Sequence, residues 1–165
     1  MVANIKFAKT RPDAKIPTKR LEDAGLDIYA CFDEDWIGIK PHTSKLIPTG
    51  VASAFDSSWA LVFRERGSTG VKNMKINAGV IDSGFRGEYF VSIYNGNDEP
   101  LYITKYMDGE QAPEPKNAIL YPYSKAIAQA LVVEVPEVNI EEISYNELQQ
   151  IPSERGVGLL GSSNK

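Results

Sequence analysis

Short apolar runs that recur along the chain constrain its fold more than any other feature of the sequence. Several runs alternate apolar and polar residues, and Gly, Pro, Asn or Asp stands between them. This period of two, with turn residues at regular spacing, is typical of strands in a β-sandwich or barrel. We therefore predict an all-β fold with one short helix in EEISYNELQQI (141–151). The predicted strands are IKFA (5–8), GLDIYACF (25–32), WIGI (36–39), KLIPTGVASAF (45–55), WALVF (59–63), GVID (79–82), EYFVSIYN (88–95), LYIT (101–104) and AIAQALVVEV (126–135).

The length of 165 residues fits one domain with a substantial core, and we assign residues 1–165 to it. A composition of 42% hydrophobic and 24% charged residues argues against a disordered chain. The net charge is −4 and no block of Lys or Arg stands out, which disfavours a nucleic-acid partner. A small anionic ligand stays possible, because a few cations and backbone N–H groups can hold a phosphate.

The single cysteine, Cys31, forms neither an internal disulfide nor a zinc site, and we expect it to be a small core residue. We expect Trp36 and Trp59 to pack the barrel and His42 to lie at the surface beside a turn. No apolar run approaches membrane-spanning length, and the first residues do not resemble a signal peptide. We therefore expect a cytoplasmic protein with no membrane partner.

Two segments stand apart from the predicted strands. The stretch MDGEQAPEPKN (107–117) is polar and contains two prolines, and we interpret it as a loop insertion. Residues 153–165 end in a run rich in Gly and Ser, which we interpret as a C-terminal flap.

Four glycine-bearing segments combine features suited to binding. Glycine lets backbone N–H groups approach a ligand, Ser and Thr add hydroxyl donors, and Arg adds a fork that fits phosphate oxygens. RERGSTG follows a predicted strand and could cradle phosphate, although it lacks the Gly-Lys-Ser/Thr ending of a P-loop and, on its own, the stretch favours a polar turn. The segments are DAGLDIYA (23–30), RERGSTG (64–70), NAGVIDSGFRGEY (77–89) and RGVGLLGSSNK (155–165).

Asp82 follows the apolar run Gly-Val-Ile and has three possible roles. It could cap a turn through its own backbone, pair with Arg86, or hold and deprotonate a water molecule. Phe85, three residues on, could be a core residue or could lie against the flat face of a sugar or base.

Taken together, the glycine-bearing segments resemble the five motifs of the trimeric dUTPases, in order and in spacing. AGLDIYA is close to the first motif and RERGSTG to the second. NAGVIDSGFRGEY is similar to the third motif and is the most specific match. AIAQALVV (126–133) resembles the fourth motif, and RGVGLLGSSNK resembles the fifth. The resemblance extends from Ala24 to the last residues.

The resemblance implies a distorted jelly-roll β-barrel that assembles as a homotrimer with a flexible C-terminal arm, so that three subunits build three sites. The implied reaction is hydrolysis of dUTP to dUMP and pyrophosphate by attack of water on the α-phosphorus. This reaction would keep uracil out of DNA and supply dUMP.

The resemblance also assigns residues to the base and the sugar. The third motif would form a hairpin whose main chain reads the uracil edge, with Asn77, Gly79 and Val80 in or beside it. A tight hairpin leaves no room for the ring methyl of thymine. Phe85 would pack on the deoxyribose, where the family commonly has Tyr.

By the same resemblance, Asp82 would orient and activate the attacking water. Mg²⁺ would bind the triphosphate oxygens, and Asp27 would reach the ion through water. Four further residues would contact phosphates and five would close over the nucleotide. The phosphate contacts would be Arg66, Gly67 and Ser68, with Gln129 from the fourth motif, and the flap residues would be Arg155, Leu160, Gly161, Ser162 and Ser163.

The sequence departs from the family pattern at three places. Gly67 follows Arg66 where a serine is common, so Ser68 would have to supply the hydroxyl. Lys125 and Ala126 stand where the family commonly has an acid and an arginine. Leu160 replaces a phenylalanine that stacks on uracil, so it can cover the base but cannot stack on it.

Two alternatives remain open from the sequence. A dCTP deaminase-type relative would need an acid aimed at the cytosine amino carbon, and Glu88 is an available carboxylate, although we expect it to be structural. A phage-type dUTPase that also binds a regulatory protein could use the loop 107–117 for that contact.

Overall fold

The computed structural model describes residues 2–114, 117–154, 156 and 157. Within these residues the chain forms short strands and two short helices, which confirms the predicted all-β class. The strands are β1 (Lys6–Lys9), β2 (Gly25–Ile28), β3 (Trp36–Ile39), β4 (Ser44–Pro48), β5 (Val51–Ala54), β6 (Trp59–Arg64), β7 (Met74–Ile76), β8 (Val80–Ile81), β9 (Phe90–Asn95), β10 (Leu101–Thr104), β11 (Ile119–Pro122) and β12 (Ala128–Glu134), and the helices are α1 (Gly67–Gly70) and α2 (Tyr145–Gln150).

The strands pair into four small sheets, with orders β1-β5, β11-β10-β3, β2-β12-β6-β8 and β4-β9-β7. The sheet β2-β12-β6-β8 contains the longest pairing, in which β12 runs antiparallel to β6 from Gln129↔Arg64 to Glu134↔Trp59. On its other side β12 pairs with β2, so that Gln129 lies opposite Asp27. This sheet places residues from three distant parts of the sequence side by side.

The core is built from the inward faces of these strands. Val91 and Ile93 of β9 are fully buried, and they alternate with more exposed neighbours. Such alternation buries one face of a strand while the other faces out. The largest fully buried side chains include Tyr89, Tyr121 and Phe63, each of which buries a large aromatic ring in the core.

Of the expectations for single residues, two are confirmed and one is wrong. Cys31 is 3% exposed and belongs to the core, as predicted. His42 is exposed at a turn, as predicted, and its Nε2 lies 2.8 Å from Asp98 Oδ1. The expectation that Trp36 packs the barrel is wrong, because its side chain is 37% exposed and meets the ring of Tyr102 edge-on.

Several strand boundaries differ from the prediction. The run 45–55 breaks at Gly50, whose φ of +66° turns the chain, so that β4 pairs with β9 and β5 pairs with β1. β2 ends at Ile28 instead of continuing to residue 32. The strands β7 and β11 were not predicted, because MKI and ILYP are too short to show a period.

The polar stretch 107–117 lies in the connection between β10 and β11, which pair in parallel from Leu101↔Ile119 to Thr104↔Pro122. A parallel pair needs a crossover of about a dozen residues or more. Residues 105–118 provide that crossover, and the Tyr102 hydroxyl donates to the Glu114 carbonyl at 3.0 Å. The length of this loop therefore has a topological reason.

Contacts divide the chain into two units, Met1–Val135 and Pro136–Lys165. The second unit contains α2, which confirms the predicted short helix. Ser144 begins it with a capping box, because its Oγ accepts from Glu147 N at 3.2 Å while Glu147 Oε2 accepts from Ser144 N at 2.9 Å. Among the described residues we find no helix with the length and apolar character needed to cross a bilayer.

We expect Gly50→Ala to destabilise the fold. Its φ of +66° disfavours any Cβ, and a Cβ would come within 2.7 Å of Ala14 Cβ and 3.1 Å of Cys31 Sγ. The free energy of unfolding should fall by at least about 1 kcal/mol. Thermal denaturation followed by circular dichroism measures this change. Gly70→Ala is the matched control, since a Cβ there meets open space, and an equal loss in both variants would contradict the prediction.

Candidate functional site

An open pocket of about 880 Å³ lies where β2, β12 and the start of α1 meet. It brings together five of the residues that the sequence assigned to phosphate or metal contacts. β2 contributes Asp27, β12 contributes Gln129, and the turn into α1 contributes the rest. These five residues are Asp27, Arg66, Gly67, Ser68 and Gln129.

Arg66 is the centre of the pocket. Its Nε lies 2.8 Å from Asp27 Oδ1, and its Nη2 lies 3.4 Å from Oδ2 of the same carboxylate. Its Nη1 donates weakly to Ser68 Oγ at 3.3 Å. The guanidinium is therefore held in place before any ligand arrives, and about 30% of the side chain remains exposed. A planar fork fixed in this way suits bidentate binding of phosphate oxygens.

The backbone after Arg66 is open to a ligand. Thr69 is buried and its Oγ1 accepts from Arg66 N at 2.9 Å, which fixes the turn into α1. A Cβ on Gly67 would meet nothing within 4 Å, and Ser68 is exposed. The missing serine at position 67 therefore leaves free space and a free approach to the main chain, and the Ser68 hydroxyl stands beside it.

Gln129 is anchored on the other side of the pocket. Its Nε2 donates to the Glu65 carbonyl at 2.7 Å, and a Cβ on Gly25 would come within 2.7 Å of its Oε1. Glycine at position 25 therefore makes room for this amide. One N–H of the Gln129 amide is used for anchoring, which leaves its second N–H as a donor for a ligand.

Three cations besides Arg66 line the pocket, namely Lys19, Arg20 and Lys125. Lys19 Nζ donates to three main-chain carbonyls of its own loop, and the Arg20 guanidinium is paired with Asp23 at 3.0 and 2.9 Å. In the described part of the chain, the ammonium of Lys125 has no such partner. Lys125 lines the pocket and precedes Ala126, which stands where the family commonly has an arginine. Lys125 is therefore the cation best placed to substitute for that arginine.

Sequence reasoning missed Tyr121. It is 1% exposed, its hydroxyl donates to the Ala126 carbonyl at 2.6 Å, and Ser68 Oγ lies 3.5 Å away. The tyrosine thus supports the pocket floor from within the core. The pairing of β11 beside β10 brings it there, and ILYP is too short to signal that strand.

The segment 77–89 begins with a tightly held backbone. Asn77 N donates to Ser92 O at 2.9 Å, and its side-chain Nδ2 donates to Ser44 Oγ at 2.7 Å. Ala78 and Gly79 then have φ of +59° and +120°, and Phe63 N donates to Gly79 O at 2.8 Å. Val80 follows in β8 with its side chain 66% exposed. The main chain of this segment is fixed while its outer edge stays accessible.

Asp82 is exposed, and within the described residues its carboxylate has neither an ion-pair partner nor a capped backbone group. Its main-chain carbonyl accepts from Phe85 N at 3.1 Å, which forms the turn without the side chain. Arg86 donates to the carbonyls of Ser83 and Phe85 instead of pairing with Asp82. The turn-capping and ion-pair interpretations of Asp82 are therefore not what this chain adopts, and its carboxylate remains available.

Phe85 is not a core residue, since its side chain is 44% exposed. Its ring stacks on Tyr89 with centroids 6.3 Å apart and an interplanar angle of 18°. It also covers Gly87, where a Cβ would come within 2.6 Å of the ring. The ring is fixed on one face and presents the other to solvent, as a platform for a flat ligand.

Within one chain, Asp82 and Arg66 lie far apart. β8 pairs antiparallel with β6 through Leu61↔Ile81 and Val62↔Val80, which places Asp82 level with Ala60. Arg66 lies six residues farther along the same extended segment. At about 3.3 Å per residue the separation is about 20 Å. One chain therefore presents two candidate half-sites, one with Arg66 and one with Asp82.

The remaining predicted residues cannot be placed. Arg155, Leu160, Gly161, Ser162 and Ser163 lie outside the described residues.

Comparisons with known proteins agree with this geometry. The family model for dUTPase matches residues 13–107, which is more than half of the chain. The chain belongs to the dUTPase family. It is 30% identical over 164 residues to the deoxyuridine 5'-triphosphate nucleotidohydrolase of Clostridioides difficile, with 97% of each chain covered.

Solved structures of the family share the fold. A mutant dUTPase of Staphylococcus bacteriophage 80alpha, determined with dUpNHpp, superimposes with a TM-score of 0.76 at 20% identity, covering 97% of this chain and 98% of that chain. A mutant dUTPase of the S. aureus phage phi11, described with a structural Mg(II) ion, gives a TM-score of 0.69 at 18% identity over 87% and 99% of the two chains. These likenesses confirm the expected jelly-roll dUTPase fold.

We expect the carboxylate of Glu65 to make stability depend on pH. Its Oε1 accepts from Ile76 N at 2.8 Å, and this hydrogen bond lowers the pKa of the Glu65 carboxyl below its ordinary value of 4.5. A lowered pKa contributes stability that is present above pH 4.5 and is lost as the pH falls through the folded-state value. The melting temperature of the wild type should exceed that of Glu65→Ala at neutral pH, and the gap should narrow in acid.

Thermal unfolding of both proteins, measured from about pH 7 to about pH 3, tests this dependence. Glu134→Ala, which removes an exposed carboxylate at the end of β12, is the control. A gap between wild type and Glu65→Ala that stays constant over this range would show that the hydrogen bond to Ile76 does not depend on ionisation.

Proposed function

We propose that this protein is a dUTP diphosphatase that hydrolyses dUTP to dUMP and pyrophosphate. The observation that carries the proposal is the pocket in which Arg66, Gly67, Ser68 and Gln129 converge, in a chain of the dUTPase family. This pocket offers a guanidinium fork, open main chain, a hydroxyl and an amide. Such donors suit the oxygens of a triphosphate, which carry most of the charge in phosphoryl transfer.

The reaction is an in-line attack of water on the α-phosphorus. The carboxylate of Asp82 accepts a hydrogen bond from the water and takes its proton as the new P–O bond forms. The bond from the α-phosphorus to the bridging oxygen breaks, and pyrophosphate leaves with its electrons. The protein's other contribution is to hold the chain of phosphates so that the attack is aligned. An exposed carboxylate that has no partner among the described residues of its own chain fits this role.

The base and sugar are bound by the segment 77–89. The fixed main chain at Gly79 and Val80 pairs with the uracil edge, and the free face of the Phe85 ring packs on the deoxyribose. Because the main chain cannot retreat, a methyl on the ring clashes with it and thymine is excluded. Cytosine reverses the pattern of donor and acceptor and would leave buried polar groups unpaired.

Mg²⁺ fits this site as an ion that binds together with the substrate, through its phosphate oxygens. Among the described residues no three acidic, histidine or cysteine side chains form a cluster that could hold a metal. Mg²⁺ commonly keeps several waters and binds one or two carboxylates together with substrate phosphates. Asp27 lines the pocket with about a third of its side chain exposed, so it could reach such an ion through water. When bound, the ion would neutralise charge on the triphosphate.

The active unit is a homotrimer in which each site is shared. One chain separates Asp82 from Arg66 by about 20 Å, and this distance is too long for both to contact one α-phosphate. A second copy can bring its own Asp82 to the Arg66 pocket of the first. Closed rotational symmetry then repeats the same contact around the ring until every half-site is used.

Asp82→Asn should abolish most of the hydrolysis while nucleotide binding remains. The amide keeps the size of the side chain but cannot take the proton, so kcat should fall by about two orders of magnitude or more. Release of pyrophosphate from dUTP measures the rate, and calorimetry with dUpNHpp measures binding. If the variant keeps nearly the full rate, Asp82 is not the base.

Mixing two inactive variants should restore activity. In a trimer assembled from Asp82→Asn and Arg66→Ala chains, roughly one site in four has an intact carboxylate from one chain and an intact guanidinium from its neighbour. Co-refolding the two proteins and measuring pyrophosphate release tests this. Each variant refolded alone is the control. No recovery in mixed trimers of confirmed composition would contradict a site shared between subunits.

The deaminase alternative has less support. Glu88 Oε1 accepts from Gly50 N at 2.8 Å and lies 3.8 Å from Arg11 Nε, so its carboxylate holds the loop at Gly50. About a fifth of its side chain is exposed. These contacts give Glu88 the structural role expected from the sequence. An ammonia assay with dCTP separates the two activities.

A further inference from the structure

We infer that Glu65 is a positioning residue that sets the discrimination between uracil and thymine, although it belongs to neither the base-binding segment nor the phosphate contacts. This inference rests on the proposed function, because it assigns base recognition to the segment 77–89. It adds a residue for which the resemblance to the family gives no role.

The Glu65 side chain connects two sheets. Glu65 follows the end of β6, which belongs to the sheet β2-β12-β6-β8, whereas Ile76 ends β7, the edge strand of the sheet β4-β9-β7. Glu65 Oε1 accepts from Ile76 N at 2.8 Å. Because the acceptor is ionised, this bond is stronger than one between neutral groups. It fixes the last N–H of β7 immediately before the base-binding segment begins.

The residues that follow need such a restraint. Ala78 has a φ of +59°, which is unfavourable for a residue with a Cβ, and Gly79 continues with +120°. A strained backbone persists only when the surrounding structure holds it from both sides. The chain before Ala78 is held by the Glu65–Ile76 bond and by the hydrogen bond from Asn77 N to Ser92 O, and the chain after it is held by the hydrogen bond from Phe63 N to Gly79 O. Removing the bond from the ionised Glu65 weakens the restraint on the entry to the strained turn, so that the turn can shift towards a relaxed conformation.

The main chain of Glu65 serves the other half-site. Its carbonyl accepts from Gln129 Nε2 at 2.7 Å, and the next residue is Arg66. In the proposed trimer the Arg66 pocket and the base-binding segment of one chain belong to different active sites. Glu65 therefore connects the phosphate end of one site to the base end of another through a single residue.

The consequence for specificity is steric. Thymine is excluded only while the main chain at Gly79 stands too close to accept a methyl group. If the turn at Ala78 relaxes, the methyl group of thymine gains room. The value of kcat/KM for dTTP should then rise by a larger factor than the value for dUTP falls. A loss of stability alone would lower the activity on both nucleotides together, so their ratio separates positioning from a general structural role.

The test compares kcat/KM for dTTP and dUTP in Glu65→Ala, Glu65→Gln and Asp56→Ala. Glu65→Ala should raise the dTTP to dUTP ratio by roughly tenfold, the lower range for one methylene in a pocket. Glu65→Gln keeps an oxygen that accepts from Ile76 N and should restore the wild-type ratio. Asp56→Ala is the matched control, because Asp56 accepts from Ser58 N at 2.9 Å just before β6, at the opposite end of the same strand. It should leave the ratio unchanged.

Amide hydrogen exchange gives a second readout that does not depend on activity. The Ile76 amide should exchange faster in Glu65→Ala than in the wild type, and Glu65→Gln should restore its protection. An unchanged ratio in a folded Glu65→Ala, an equal rise in Asp56→Ala, or a Glu65→Gln that behaves as Glu65→Ala would each overturn the inference. A wild type that does not hydrolyse dUTP would refute the proposed function, and the exchange data would still test the restraint on the turn.

Discussion

The pairing of β12 between β2 and β6 is the constraint on which the candidate site depends. Gln129 lies opposite Asp27 on one side and opposite Arg64 on the other, so three segments that are far apart in sequence meet in one sheet. A slip of one residue would turn Gln129 to the opposite face of the sheet. The register therefore decides whether the pocket exists, and the buried alanines of β12 on either side of Gln129 help to fix that register by packing on the core.

The same sheet explains why the proposed site needs more than one chain. β6 carries the phosphate half-site at its C-terminal end, while β8, paired along β6, carries Asp82 away towards the N-terminal end. A carboxylate beside the phosphate pocket in the same chain would pair with Arg66, as Asp27 already does at 2.8 Å. In the proposed trimer the base comes from another chain, so that it stays away from Arg66 until the subunits meet. The proposed assembly would thus bring a free carboxylate to a phosphate without neutralising it beforehand.

Much of the strand content could be predicted from the sequence, because period-two runs bounded by Gly and Pro are a local signal. This local signal could not predict strand pairing, because the pairing depends on contacts between residues that are distant in sequence. Nothing in KLIPTGVASAF shows that the two halves pair with different strands, and nothing in ILYP shows that it lies parallel to β10.

The residues of the candidate site also fall into those that the sequence could predict and those that it could not. Asp27, Arg66, Ser68 and Gln129 could be assigned through their motifs, and the structure places them together. Tyr121 and Glu65 could not, because each acts through a side-chain hydrogen bond to the main chain, and the folding of the strands, not a local sequence pattern, brings these partners together. Such contacts leave no recognisable pattern in a single amino-acid sequence.

The crossover between β10 and β11 has a consequence for how this chain can vary. Residues 105–118 are close to the shortest connection that lets two neighbouring strands run in the same direction. Shortening would force β11 out of register, and Tyr121 would leave the pocket floor with it. Lengthening is inexpensive, since doubling a flexible loop costs only about 0.6 kcal/mol of closure entropy. Variation in this loop should therefore be unequal: insertions are tolerated, whereas deletions would disturb the phosphate pocket through Tyr121.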